Sequence, residues 1–113
     1  CWPITRDHTL VASLAAIGQI SEAEAETHPQ RNLLYRCVGQ SPTVVGDTFV
    51  RRLEPGDRIV INSDGLTRHV GQKEVAESVI RHDTPEAACR QLINLANSRG
   101  GEDNISVIVI RAD

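Results

Sequence analysis

Aromatic side chains are almost missing from this sequence. Trp2, Tyr35 and Phe49 are the whole set in 113 residues. Any buried core must therefore be aliphatic, assembled from the Val, Ile, Leu and Ala that dominate the 40% apolar content. Cysteine is as scarce: Cys1, Cys37 and Cys89 are far apart and form no CxxC pair. An odd, widely spaced set argues against a disulfide framework and against a thiolate zinc site, and points to a reducing, cytoplasmic setting. A surplus of positive charge is missing too. Twelve basic residues against fifteen acidic ones leave a formal charge of −3, which disfavours nucleic acid as a partner. No apolar run is long enough to cross a bilayer, and no signal-peptide pattern is visible, so no membrane association is expected of this segment. The chain has no starting Met, and its opening Cys1-Trp2-Pro3-Ile4 reads as the interior of a longer protein.

Internal repeats, low-complexity tracts and linkers are also missing, and residues 1–113 are expected to form one compact unit. Periodicity predicts a short helix over 9–17, with Leu10, Leu14 and Ile17 on one side and Gly18 as its stop. A second short helix should begin at Ser21. Ser21 and Glu24 have capping-box spacing, and His28-Pro29 should end it. Residues 33–38 and 43–53, rich in Val, Leu, Thr and Phe, read as extended. Pro55-Gly56-Asp57 is a turn signal. The run Ile59-Val60-Ile61 predicts a strand over 58–63 buried on both faces. Helices are predicted over 72–82 and 85–98, the second with Thr84 as cap and Pro85 at its first position. A last strand over 105–110, nearly all apolar, should be central. Strands and helices are partly segregated in this order, which makes the chain α+β.

Two polar segments abut the apolar strands. Asn62-Ser63-Asp64-Gly65-Leu66-Thr67 follows one, and Gly100-Gly101-Glu102-Asp103-Asn104 precedes the other. If those strands are antiparallel neighbours, about 4.5–5.5 Å apart, Asp64 and Asp103 lie at the same edge of the sheet. Two carboxylates so placed repel unless a cation lies between them, and hard oxygen ligands suit Mg²⁺ or Mn²⁺. Gly65, Gly100 and Gly101 would let the backbone turn sharply there. Each segment alone has the composition of an ordinary polar turn, and composition leaves both readings open.

The chain resembles the PP2C, or PPM, family of metal-dependent protein serine/threonine phosphatases in its bacterial form. The likeness runs nearly end to end. It rests on Thr5-Arg6-Asp7-His8-Thr9-Leu10-Val11, His28-Pro29-Gln30-Arg31-Asn32, Leu53-Glu54-Pro55-Gly56-Asp57, Ser63-Asp64-Gly65-Leu66-Thr67 and Gly100-Gly101-Glu102-Asp103-Asn104-Ile105-Ser106-Val107-Ile108, in that order. The resemblance implies the carboxyl-terminal half of a four-layer α-β-β-α sandwich with antiparallel sheets, residues 17–32 or so being a flap beside the cleft. It implies hydrolysis of phosphoserine and phosphothreonine in phosphoprotein substrates, with no phospho-enzyme, at a centre of two Mg²⁺ or Mn²⁺ ions. Asp64 and Asp103 would be ligands, and the aspartate matching Asp64 in bacterial members can also help hold a third, weaker ion. Gly65 and Asn104 would fix the loops behind the ligands.

The family's amino-terminal half, with its further acidic ligands and its phosphate-binding arginine, has no counterpart in this chain. That half is an expected partner, and the isolated chain is expected to be inactive. Arg31 and Arg36 read as flap or surface residues, and His8 as structural. The competing reading, of a different class, is a non-catalytic module derived from the same fold that binds a partner or phosphoprotein without hydrolysis. An Asp-Gly motif upstream of Cys1 would favour the enzyme.

Overall fold

The computed structural model describes residues 1–113 and divides into two units, Trp2–Arg51 and Arg52–Asp113, the second joined by Cys1. The sequence reading expected one. In the first unit, α1 spans Leu10–Ala16 and α2 spans Glu22–Thr27. The Thr9 hydroxyl caps α1 by accepting the Ala12 N–H at 3.2 Å, and Gly18, at φ 74°, stops it. The predicted capping box opens α2: the Ser21 hydroxyl accepts the Glu24 N–H, and the Glu24 carboxylate accepts the Ser21 N–H at 2.7 Å. The Ser21 N–H chiefly, then the Ser21 hydroxyl, which also donates to that carboxylate at 2.8 Å, lower the Glu24 carboxyl pKa.

The two expected extended segments of this unit do not become strands. Residues 33–35 run beside 8–10 through Leu10 N–H to Leu33 carbonyl (2.9 Å) and Tyr35 N–H to His8 carbonyl (3.1 Å), which amounts to a single antiparallel bridge, Thr9 to Leu34. Residues 43–53 make no ladder at all. Strand-forming side chains need a partner backbone and a surface to pack on. Here Val45 and Val50 are 72% and 85% exposed.

The second unit is the α+β part. It contains β1 (Arg58–Asn62), α3 (Asp64–Thr67), α4 (Gln72–Arg81), α5 (Pro85–Ser98) and β2 (Val107–Arg111). The turn before β1 forms as predicted. The Asp57 N–H donates to the Glu54 carbonyl at 3.0 Å, Pro55 follows Glu54, and Gly56 has φ 95°, the type II pattern. β1 and β2 pair antiparallel, with Arg58 opposite Arg111, Val60 opposite Val109 and Asn62 opposite Val107. One face of this pair packs on α5 through Val60, Val107 and Val109. The fully aliphatic core comprises Leu66, Val70, Val75, Val79, Ala88, Leu92 and Ala96. Leu92 and Ala96 sit at the helical i, i+4 spacing that puts both on the covered side of α5.

The other face of the sheet differs from expectation. Ile59, Ile61, Ile108 and Ile110 alternate out of phase with the core residues, and Ile61 and Ile108 are 54% and 56% exposed. Neither strand is buried on both faces, because all the helices of this unit that pack on the strands serve the valine side. No helix is long and apolar enough to cross a membrane.

Candidate metal centre

The edge of the sheet where β1 ends and β2 begins is built by Ser63. Its N–H donates to the Ser106 carbonyl at 3.0 Å, extending the β ladder by one rung. Its hydroxyl then donates to the Asn104 carbonyl at 3.1 Å and accepts the Ser106 N–H at 3.0 Å. One side chain thus ties the loop after β1 to the loop before β2. Directly after it the chain turns into α3, a single turn in which the Thr67 hydroxyl donates to the Asp64 carbonyl at 3.3 Å and the Arg68 N–H donates to that carbonyl at 3.0 Å.

Gly65 is buried in this turn. A methyl group added there would collide with the Asn104 carbonyl oxygen and would lie 3.5 Å from the Asp103 Cβ. The residue is glycine because the opposite loop passes against its backbone. On that opposite loop, Gly100 and Gly101 have φ values of 132° and 56°, and their positive φ lets the chain leave α5 and reverse into Asp103.

The two aspartates meet at one cation. The guanidinium of Arg68 holds Asp64 Oδ2 through Nη2 at 2.8 Å and Asp103 Oδ2 through Nη1 at 3.2 Å. The other oxygen of Asp103, Oδ1, accepts the N–H of Asn104 at 2.8 Å. Asp64 is 66% exposed and Asp103 37% exposed, so both carboxylates are open to solvent on their outer side. Two hard oxygen donors from separate loops, close enough to share one positive group, have the chemistry of part of a Mg²⁺ or Mn²⁺ site. No third Asp, Glu, His or Cys joins them.

Of the residues singled out in the sequence, Asp64 and Asp103 come together, and Gly65 and Asn104 form the backbone contact between their loops. Arg68 and Ser63 were not singled out. The signal for Arg68 was its position four residues after Asp64, which puts the pair on one face of a helix. That signal is readable only once the single turn α3 is known. In the first unit, His8 and Arg36 both hold Asp47, at 2.7 and 2.9 Å, and Tyr35 lies with its ring centroid 5.7 Å from that of His8. The His8 hydrogen bond, then that of Arg36, lowers the Asp47 pKa. The structural reading of His8 and the packing reading of Arg36 fit this arrangement.

No protein-family model matches the chain. A protein phosphatase 2C-type protein of Streptococcus pyogenes is 44% identical over 95% of the chain, which spans 44% of that relative. The serine/threonine phosphatase Stp1 of Staphylococcus aureus has a solved structure that superposes with a TM-score of 0.91 at 37% identity, over 97% of this chain and 43% of that one. A serine/threonine phosphatase of S. agalactiae superposes at 0.88 with 41% identity, over 96% and 45%. The catalytic domain of the phosphatase PstP, solved with two manganese ions, superposes at 0.76 with 33% identity, over 97% and 45%. The chain therefore spans less than half the length of the relatives it matches. In sequence and in fold it is a homologue of one part of the bacterial PP2C-type serine/threonine phosphatases.

Proposed function

We propose that residues 1–113 are the carboxyl-terminal half of a metal-dependent protein serine/threonine phosphatase acting on phosphoserine and phosphothreonine. Asp64 and Asp103 are ligands of a dinuclear Mg²⁺ or Mn²⁺ centre, and Ser63, Gly65 and Asn104 hold the two ligand loops in register. Residues 17–32 or so serve as the flap. The remaining ligands come from the part that the relatives have in addition, and the enzyme works in the reducing cytoplasm. The observation that carries this reading is the convergence of two carboxylates, from loops at the same sheet edge, on one positive group.

The ions, when bound, make water available as a nucleophile near neutral pH and offset charge on the phosphoryl oxygens. The chain's own part is positional. Ser63 fixes the spacing of the two loops by its three hydrogen bonds, and Asn104 orients the Asp103 carboxylate through the bond to Oδ1. Oδ2 of each aspartate faces the Arg68 guanidinium. The exposed isoleucine face of the β1–β2 pair offers a second sheet an apolar surface to pack on, as in a β-sandwich.

The test uses the protein at the length of its relatives. Asp64→Asn and Asp103→Asn should each cut Mn²⁺-dependent hydrolysis of a phosphothreonine peptide by at least tenfold, with the fold retained by circular dichroism. Wild-type rates in both variants would remove the assignment.

A further inference from the structure

Arg68 is the one residue that touches both carboxylates, and this places it in competition with whatever cation they are built to hold. Its fork spans the gap between the loops, with Nη2 on Asp64 Oδ2 and Nη1 on Asp103 Oδ2. On Asp103 the other oxygen is committed to the Asn104 N–H. The oxygen that Arg68 holds is the one on Asp103 that takes no backbone N–H. A Mg²⁺-like ion binds carboxylate oxygen at about 2.0–2.1 Å. A guanidinium hydrogen-bonded to the same oxygen competes with such an ion for it, and its positive charge repels the incoming ion.

Resting on the metal reading above, we propose that Arg68 is an internal counter-ion. In the metal-free protein it neutralises Asp64 and Asp103, keeps their loops together, and must swing out before a divalent ion can bind. Its anchorage supports such a hinge. The backbone N–H of Arg68 is fixed to the Asp64 carbonyl at the end of α3, while the side chain is 33% exposed and has solvent to swing into. Metal affinity is thereby set lower than the two carboxylates alone would give. The bridge depends on the planar fork of arginine, because a lysine is a single point charge on a flexible stem.

The test measures Mn²⁺ binding by isothermal calorimetry in the protein at the length of its relatives, for wild type, Arg68→Gln, Arg68→Lys and Asp64→Asn. Exposed charge pairs of this kind are weak, so the expected gain is modest: about three- to tenfold tighter Mn²⁺ binding in Arg68→Gln. A smaller gain is expected in Arg68→Lys. The metal-free Arg68→Gln protein should also melt earlier than metal-free wild type, a gap that closes on adding Mn²⁺. Unchanged or weaker Mn²⁺ binding in Arg68→Gln, with Asp64→Asn still abolishing a binding step, would overturn the counter-ion role and leave the metal site standing. Wild-type binding in Asp64→Asn would remove the metal site, and the counter-ion role with it.

Discussion

Replacing Gly65 by alanine tests the geometry of the proposed centre without touching a ligand. The added methyl would run into the carbonyl oxygen of Asn104, with the Asn104 carbonyl carbon at 3.1 Å and the Asp103 Cβ at 3.5 Å. The obstacle is backbone, so no rotamer change relieves it. Either α3 or the 100–104 loop must back away. Overpacking of a tight site costs about 1–3 kcal/mol. If the loop moves, the Ser63 bonds to Asn104 and Ser106 lengthen, adding about 1 kcal/mol for each one lost. In a protein of the relatives' length, 1 kcal/mol moves Tm by about 2–4 °C, so Gly65→Ala should melt roughly 2–20 °C lower, the upper end applying if both bonds are lost. The same displacement carries Asp103 away from Asp64, so Mn²⁺ affinity should fall together with stability. Ser63→Ala is the control: it removes the side-chain bonds without a clash and should lower Tm by less. Thermal melts with and without Mn²⁺, alongside calorimetric titration, read both effects. A Gly65→Ala protein with wild-type Tm and wild-type Mn²⁺ affinity would refute the claim that contact between these two loops sets the spacing of the acids.

Two further outcomes are expected. The Glu74 carboxylate accepts two bonds from Arg99 at 2.7 and 2.9 Å and one from the Gly71 N–H at 3.1 Å; the Arg99 bonds chiefly, then Gly71, hold its pKa at about 2 against an ordinary 4.5. A pKa depressed on folding contributes stability that is fully present above 4.5 and is lost as pH falls toward 2; Glu74→Gln should flatten the acid limb of a Tm-against-pH curve in that window, and an unchanged limb would show the clamp to be idle. The 113-residue chain alone should show no Mn²⁺-dependent turnover of p-nitrophenyl phosphate and should self-associate through the Ile59, Ile61, Ile108 and Ile110 face; a monomer by light scattering that hydrolyses the ester would contradict both the shared-centre reading and the covered-face reading.

The elements that could be read from the sequence are those whose cause is local. The Ser21–Glu24 box, the Thr84 cap with Pro85 behind it, and the Pro55-Gly56 turn each need only neighbouring residues, and each forms where the pattern put it. The errors fall where the cause is distant. Thr43 to Leu53 has the side chains of a strand and no backbone to pair with. Ile59-Val60-Ile61 has the apolar run of a strand covered on both sides, yet only Val60 meets the core. An apolar run reports what a surface can bury, not whether the covering layer lies within the same 113 residues.

The candidate centre shows the same division at finer scale. That Asp64 and Asp103 would share an edge followed from one topological premise, that the strands beside them are antiparallel neighbours, and the register bears the premise out. Their link through Arg68 did not follow, because it depends on a four-residue helix too short to announce itself by periodicity. With its cap, Arg68, the turn has five residues, which give one i, i+4 relation, and Asp64 with Arg68 is that relation. The same turn that lifts the Asp64 carboxylate to the sheet edge also delivers the positive charge that must leave it. Ligand and counter-ion are thus set by one local conformation, and a change that unwinds α3, such as Leu66→Pro, should separate the carboxylates and release the guanidinium together.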